Sequence, residues 1–319
     1  MNQLDSRQVA RFLSAQPGYE NAQVSFLASG EYNENYHVRS EDRDLVFRVN
    51  HGTQLGLANQ VEYEYAVLEA VRSSGVTPKP VARFPKSTHF PNGALLMEHL
   101  PGRPLDYRTD CDGAALCFAA IHSLPIDDRL IRQEAPVTDI LAECNGLLDR
   151  FDNPKRAKAR RQIDAYREQV EKLAGSGASS FPDELLCITN TEVNSGNFLV
   201  DNDRVRLVDW EKAVTSYRYQ DLGHFLVPTT TLWKSDYEFD AAARRTFLAS
   251  YHEAARPPVS LDALDEYTSV LERTILLRAY SWCYMATAEY ERGERPLMHE
   301  DTLRTMSFYL DNAERFLGL

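Results

Sequence analysis

The 319-residue chain is 43% hydrophobic and 26% charged, with 15 glycines and 15 prolines, a globular balance that excludes a disordered polar tract and a fibrous repeat. With 47 acidic against 35 basic residues the formal charge is −12, which repels nucleic-acid phosphates over most of the surface and makes a cationic or neutral small molecule the expected partner. No apolar run is long enough to cross a bilayer, the N-terminus has no leader-like apolar core, and five scattered cysteines without a CxxC pair fit free thiols in a reducing cytoplasm.

In chain order, MNQLDSRQVARFLSAQ reads as a short amphipathic helix. From Val24 to Asn50 the text alternates strand and turn (VSFLASG, NYHVRS, EDRD, LVFRVN), the pattern of a β-meander. NQVEYEYAVLEAVRSSG then places Val61, Tyr65, Leu68 and Val71 at helical spacing and stops at Gly75. VTPKPVARF and GALLMEHL read as two further strands, so residues 1–100 are expected to form a small antiparallel sheet with a helix. PGRP at 101–104 is the expected hinge to a second unit, 101–319, with helical patterns near 112–123, 136–150, 155–173, 240–255, 261–291 and 300–317. Two short strand segments interrupt that unit: LLCIT before Asn190, and the hairpin NFLV-DND-RVRLVDW. The fold class expected is α+β, in two lobes sharing a cleft.

The hairpin carries the chemistry. Glu192, Asn197 five residues on, and Asp209 at the end of the second strand are an acid, an amide and an acid at the ends of adjacent β elements, where their oxygens can converge on one magnesium–phosphate site. Asn197 and Asp209 are therefore the expected metal ligands, although either alone would serve as a turn cap or a strand end.

NTEVNSGNFLV…RLVDWE resembles the catalytic loop and metal motif of the aminoglycoside phosphotransferase and choline kinase group, relatives of protein kinases. The usual form is His-x-Asp-x₄-Asn; here Asn190 stands where histidine is usual and Glu192 where the catalytic aspartate is usual. The resemblance extends over about residues 24 to 225 and implies a protein-kinase-like two-lobe fold that binds ATP and Mg²⁺. It further implies Gly30 and Asn35 in a nucleotide-covering loop (SGEYNENYHV), with Asn33 and Asn35 pinning the hairpin. Arg48 would hold the α- and β-phosphates, and Glu64 would pair with it from the helix. Glu98 to Leu100 would receive adenine through backbone groups. His122 and Asp221 are implied to be structural, Asp221 bracing the catalytic loop.

Two other features compete with bland roles. Trp233 in the Thr229–Trp233 segment, with Trp282 and Tyr284, could face a cationic substrate, but core packing is the commoner use of aromatics. The basic run Lys155 to Arg161 is read as a solvated helix face, since Asp164 and Glu168 follow it. The resulting expectation is an ATP-dependent kinase of a small hydroxyl- or amine-bearing molecule, with Glu192 orienting or deprotonating the acceptor. A non-catalytic nucleotide-binding module and a nucleotidyl-transferring enzyme are the rivals.

Overall fold

The computed structural model describes residues 5–30, 32–177, 180–181, 184–294 and 300–319. Residues 1–4 of the expected N-terminal helix and Glu31 of the SGEYNENYHV loop lie outside them. The N-terminal part comprises α1 (Ser6–Ser14), β1 (Gln23–Ser29), β2 (Asn33–Arg39), β3 (Asp44–Asn50), α2 (Gln60–Val71), β4 (Pro80–Phe84) and β5 (Ala94–Glu98). Its five strands form one antiparallel sheet in the order β1-β2-β3-β5-β4.

Side chains alternate across this sheet, and the alternation delivers the site residues. Leu45, Phe47 and Val49 of β3 pack on the outer face with Tyr36, Leu96 and, from α1, Val9 and Leu13. Asp5 starts α1 by accepting a hydrogen bond from the Arg7 amide at 3.0 Å. Val46 joins α2 residues Val61, Leu68 and Val71 in the inner core, so Arg48, two residues on from Val46, belongs to the same face. On α2, Glu64 falls within the apolar stripe of Val61, Leu68 and Val71 and is only 2% exposed. Glu62, two residues earlier, is only half-buried and pairs with Arg83.

The chain leaves the sheet through β6 (Arg103–Pro104) and continues with α3 (Cys111–His122), α4 (Pro136–Asp149), α5 (Ala157–Gly175), β7 (Cys187–Thr189), β8 (Phe198–Asp201), β9 (Arg204–Leu207), β10 (Val214–Ser216), α6 (Tyr219–Leu226), α7 (Pro228–Lys234), α8 (Ala241–Ala255), α9 (Leu261–Arg292), α10 (Glu300–Asp311) and α11 (Ala313–Leu317). The architecture is the protein-kinase-like α+β fold, an antiparallel sheet followed by a mostly helical part. PGRP is more than a connector, because Arg103 and Pro104 pair with Val200 and Leu199 of β8. A Cβ on Gly102 would sit 3.0 Å from the Val200 amide nitrogen, so this pairing needs glycine.

Helix α9 is the axis of the helical part. Ser260 caps its start, Gly293 in the left-handed region ends it, and α4, α5, α6 and α10 pack along it. A Cβ on Gly223 of α6 would meet the Glu272 backbone at 2.7 Å, so glycine sets the close approach of α6 to α9. Part of the basic run is not the solvated face read from sequence. Arg156 pairs with Asp311 at 2.6 Å and Arg160 donates to the Leu148 carbonyl at 2.6 Å, so these cations tie α4 and α10 to the segment opening α5. Acidic partners contributed by distant chain are invisible to a local charge pattern. Among the described residues no helix is long and apolar enough to cross a membrane.

Candidate active site

The loop after β7 is held from beneath by one carboxylate. Asp221, fully buried at the start of α6, accepts hydrogen bonds from the amides of Asn190 and Thr191, both at 2.8 Å. His122 at the end of α3 stands 3.2 Å from the same carboxylate through Nε2 and 2.9 Å from the Tyr251 hydroxyl through Nδ1. Burial holds His122 below the usual imidazole range, with Asp221 opposing that shift, so the ring is a neutral bridge. Thr191 adopts a left-handed φ of 68°, a costly conformation for a β-branched residue that these bonds sustain.

Asn190 does the work of a two-way clamp. Its Nδ2 donates to the Asp209 carbonyl at 2.9 Å, and its Oδ1 accepts from the Glu192 amide at 3.0 Å. One amide side chain thus fixes the loop against the segment that follows β9, a linkage for which an imidazole is not required.

Beyond the clamp, acids and amides converge. Asn197 donates through Nδ2 to the Glu192 carbonyl at 2.6 Å. Asp209 has a φ of 65°, a second left-handed non-glycine at this place. The carboxylates of Glu192, Asp209 and Glu211 each offer an oxygen within 4.8 Å of the others. This crowding has a visible electrostatic cost: burial, followed by the repulsion from Asp209, pushes the Glu211 carboxyl up to about 8, with Arg48 pulling it back. Such a set of hard oxygen donors fits a divalent cation.

Arg48 crosses the cleft. Its Nη1 donates to Glu64 at 2.6 Å and to Asp209 at 2.8 Å, while Nε donates to Asn35 at 3.0 Å. Asn35 and Arg48 are opposite each other in the β2–β3 ladder, which explains that last contact. Asn33 does not merely pin the hairpin, as its place in the loop suggested. It accepts from Asn50 at 3.1 Å and its own amide reaches across to Glu211, so β2 is tied to the helical part. The Gly30 amide donates to the Asn33 carbonyl at 2.9 Å, and a Cβ there would meet only that carbonyl oxygen, at 4.0 Å, so the space over it is open. At the end of β5 the Glu98 amide donates to Lys79 and the His99 amide to Asp44, while Leu100 is buried. The His99 ring also reaches the Asp44 carboxylate at 3.1 Å, tying this segment to β3.

Glu192 lines a cavity of 310 Å³ together with Asn197, Asp209, Lys212, Trp233 and Trp282. A second cavity of 270 Å³ shares Lys212, Arg278 and Trp282 with it. The packing expectation for the aromatic trio needs correction at two positions: Trp233 and Trp282 contact each other edge to face, centroids 6.2 Å apart, and also line the cavity. Tyr284 is buried away from it, its hydroxyl accepting from the Asn153 amide. The reason is helical phase, since Trp282 and Tyr284 are about 200° apart on α9.

Sequence reasoning missed three residues. Lys212 pairs with Glu192 at 3.2 Å and has no sequence signal beyond following Glu211. Glu211 enters the sequence reading only as the last residue of RLVDWE, yet burial and Asp209 raise its carboxyl to about 8. Arg278 had a signal, a lone charge inside the apolar stretch Ile275 to Ala288.

The comparisons agree on fold and family. A search of curated proteins found no match. Among solved structures, a choline kinase from Cryptosporidium parvum Iowa II superposes with a TM-score of 0.66 at 14% identity, covering 98% of this chain and 97% of that one. A choline/ethanolamine kinase family protein from Mesorhizobium loti gives 0.67 at 15%, covering 98% and 95%. A spectinomycin phosphotransferase in complex with ADP and spectinomycin gives 0.64 at 13%, covering 97% and 94%. The model of the phosphotransferase enzyme family (APH) matches residues 23–264, more than half of the sequence, a span that holds Arg48, Glu64, Glu192, Asn197 and Asp209 but stops before Arg278 and Trp282, and the chain belongs to that family.

Proposed function

We propose that the protein transfers the γ-phosphoryl group of ATP, as its magnesium complex, to a small hydroxyl- or amine-bearing molecule. The observation that carries this reading is the convergence, across the cleft, of Arg48 from the sheet with Asp209, Asn197 and Glu192 from the loops around the β8–β9 hairpin. A guanidinium facing a cluster of carboxylates and an amide is the donor set that phosphoryl transfer uses, because that reaction depends on positioning and charge neutralisation.

In this reading Asn197 and Asp209 would hold Mg²⁺, which would supply neutralisation of the phosphate charge. Asn197 is suited to it, since its amide nitrogen is engaged by the Glu192 carbonyl and its oxygen is the remaining donor. Arg48, kept in place by Glu64 and Asn35, holds the α- and β-phosphates on release from Asp209. Gly30 and Asn35 belong to the loop that covers them, and the backbone from Glu98 to Leu100 takes the adenine. The division at residues 100–101 between a nucleotide lobe and an acceptor lobe follows from the same assignment. Glu192 accepts the acceptor's proton, and Lys212 holds its carboxylate at the cavity wall until the hydroxyl arrives.

Two complexes among similar folds are in line with nucleotide and metal use: the spectinomycin phosphotransferase with ADP, and an amicoumacin kinase with AMP-PNP and Ca²⁺. A non-catalytic nucleotide binder is the second reading, favoured by the Glu192–Lys212 ion pair, which engages the base carboxylate. Acceptor-dependent release of ADP by the purified protein, across a broad panel of small alcohols and amines, decides between them. Binding of Mg·ATP with no acceptor-dependent ADP from any compound would sink the first reading.

A further inference from the structure

The wall of the cavity beside Glu192 carries polar groups that the phosphoryl-transfer machinery leaves unused. Arg278, half-buried on α9, lines both cavities. Among the described residues no carboxylate lies within ion-pairing distance of it, and its one hydrogen bond is a long one, 3.4 Å to the Thr191 carbonyl. The neighbouring cations differ in this respect. Lys212 is paired with Glu192 and Arg150 with Glu289, each at 3.2 Å.

Two more polar atoms lining the same cavity as Arg278 have no partner among the described residues. His224 Nδ1 and Thr229 Oγ1 are buried without a hydrogen-bond partner, and both residues line the 310 Å³ cavity. Burial, then Arg278 and Lys212, lower the His224 imidazole to about 3, so the histidine is a neutral neighbour of those two cations at physiological pH. A half-desolvated guanidinium without a counter-ion and two orphaned polar atoms lining one cavity are costly unless a ligand completes them. The acid on the same wall, Glu143, is solvent-exposed, where a charge contributes little.

We propose that the acceptor is an anion: a small hydroxylated molecule bearing a carboxylate or phosphate that Arg278 binds, with His224 and Thr229 as neutral hydrogen-bonding partners. This replaces the cationic or neutral substrate that net charge suggested. A surface total of −12 is an average over the whole molecule, and the cavity has its own local field. The guanidinium fork suits either anion, being planar and able to donate twice. Trp233 and Trp282 line the same cavity, whose 310 Å³ limits the acceptor to a compact molecule.

The inference rests on the phosphotransferase reading for the word acceptor, but its test does not depend on turnover. Calorimetry on the full chain saturated with Mg·ADP would compare compounds matched in size and differing in charge. One set is glycerate, glycerol 3-phosphate, glycerol and ethanolamine; another is gluconate, 6-phosphogluconate, sorbitol and glucosamine; serine adds a zwitterion. The expected result is that an anionic member of at least one set binds about tenfold or more tighter than its neutral and cationic counterparts. Arg278→Gln should erase that preference and Arg278→Lys should keep part of it, both with unchanged Mg·ADP affinity, which also reports that the variants fold. Carboxylate and phosphate members separate the two anion types.

Preference for the neutral or cationic members, no binding by any anion, or an anion preference that survives in Arg278→Gln would overturn the proposal. So would an Arg278→Gln defect confined to Mg·ADP, which would assign the guanidinium to the nucleotide. Anion binding without ADP release on replacing ADP by ATP leaves the anion site standing and removes the phosphotransferase reading instead.

Discussion

Glutamine at position 64 tests the central charge arrangement most directly. Glu64 and Arg48 are 2% and 7% exposed, and a single guanidinium nitrogen serves Glu64 at 2.6 Å and Asp209 at 2.8 Å. Burial raises the Glu64 carboxyl above its ordinary range and Arg48 pulls against that shift, so this one partner is what opposes protonation of the acid. Breaking a buried ion pair typically costs about 3–5 kcal/mol because the remaining charge is stranded. In Glu64→Gln the amide oxygen still accepts a hydrogen bond and Asp209 still neutralises Arg48, so the expected loss is about 2 kcal/mol.

The functional consequence follows from the same geometry. With Glu64 neutral, Arg48 binds Asp209 alone, and Asp209 becomes harder to recruit for magnesium; Mg·ATP affinity should fall about tenfold. Urea denaturation gives the first quantity and titration with Mg·AMP-PNP the second. In an Asp209→Asn background the same Glu64→Gln change should cost more, by at least about 1 kcal/mol, since Arg48 then loses both carboxylates. Unchanged stability and affinity in Glu64→Gln, or strict additivity in the double variant, would refute the shared-guanidinium argument.

Other outcomes follow from the site. Glu192→Gln should lower kcat by about 10²–10⁴-fold with ATP affinity nearly intact, as measured by acceptor-dependent ADP release; a fall confined to ATP affinity would remove the base assignment. Glu192→Asp should also lose activity, because the shorter acid withdraws from Lys212, 3.2 Å away in the wild type, whereas a gain would mark a loop built for aspartate. Asp209→Ala should abolish the magnesium dependence of nucleotide affinity in fluorescence titrations; persistence of that dependence places the metal elsewhere. Acidification should destabilise the fold: His122 and His224 have depressed folded pKa values, the latter about 3, so below the ordinary imidazole range of about 6.5 the unfolded chain binds more protons. The denaturation midpoint should therefore drop from pH 7 to pH 4.5, and less steeply in His224→Gln.

The sheet-then-helix order, the positions of most helices and the site motif were legible in the sequence for local reasons. Period-2 alternation marks β3 and places Arg48 on the face of Val46, and the spacing of Val61, Leu68 and Val71 marks α2. Loop chemistry was legible too, because Glu192, Asn197 and Asp209 sit at fixed distances around one hairpin. The tertiary structure decided whatever depends on which distant segments meet. Arg48 serves Asp209 as well as Glu64 only because the sheet closes over the hairpin, 161 residues apart in sequence. Asn33 reaches Glu211 across 178 residues, and Arg156 of the basic run finds Asp311 on α10. The character of the cavity beside Glu192 is the strongest case. Arg278, His224 and Thr229 come from α9, α6 and α7, and their unmet polar groups face one space because Gly223 lets α6 lie against α9. Local sequence records each residue's chemistry, but a field or an unsatisfied donor exists only relative to neighbours that folding supplies.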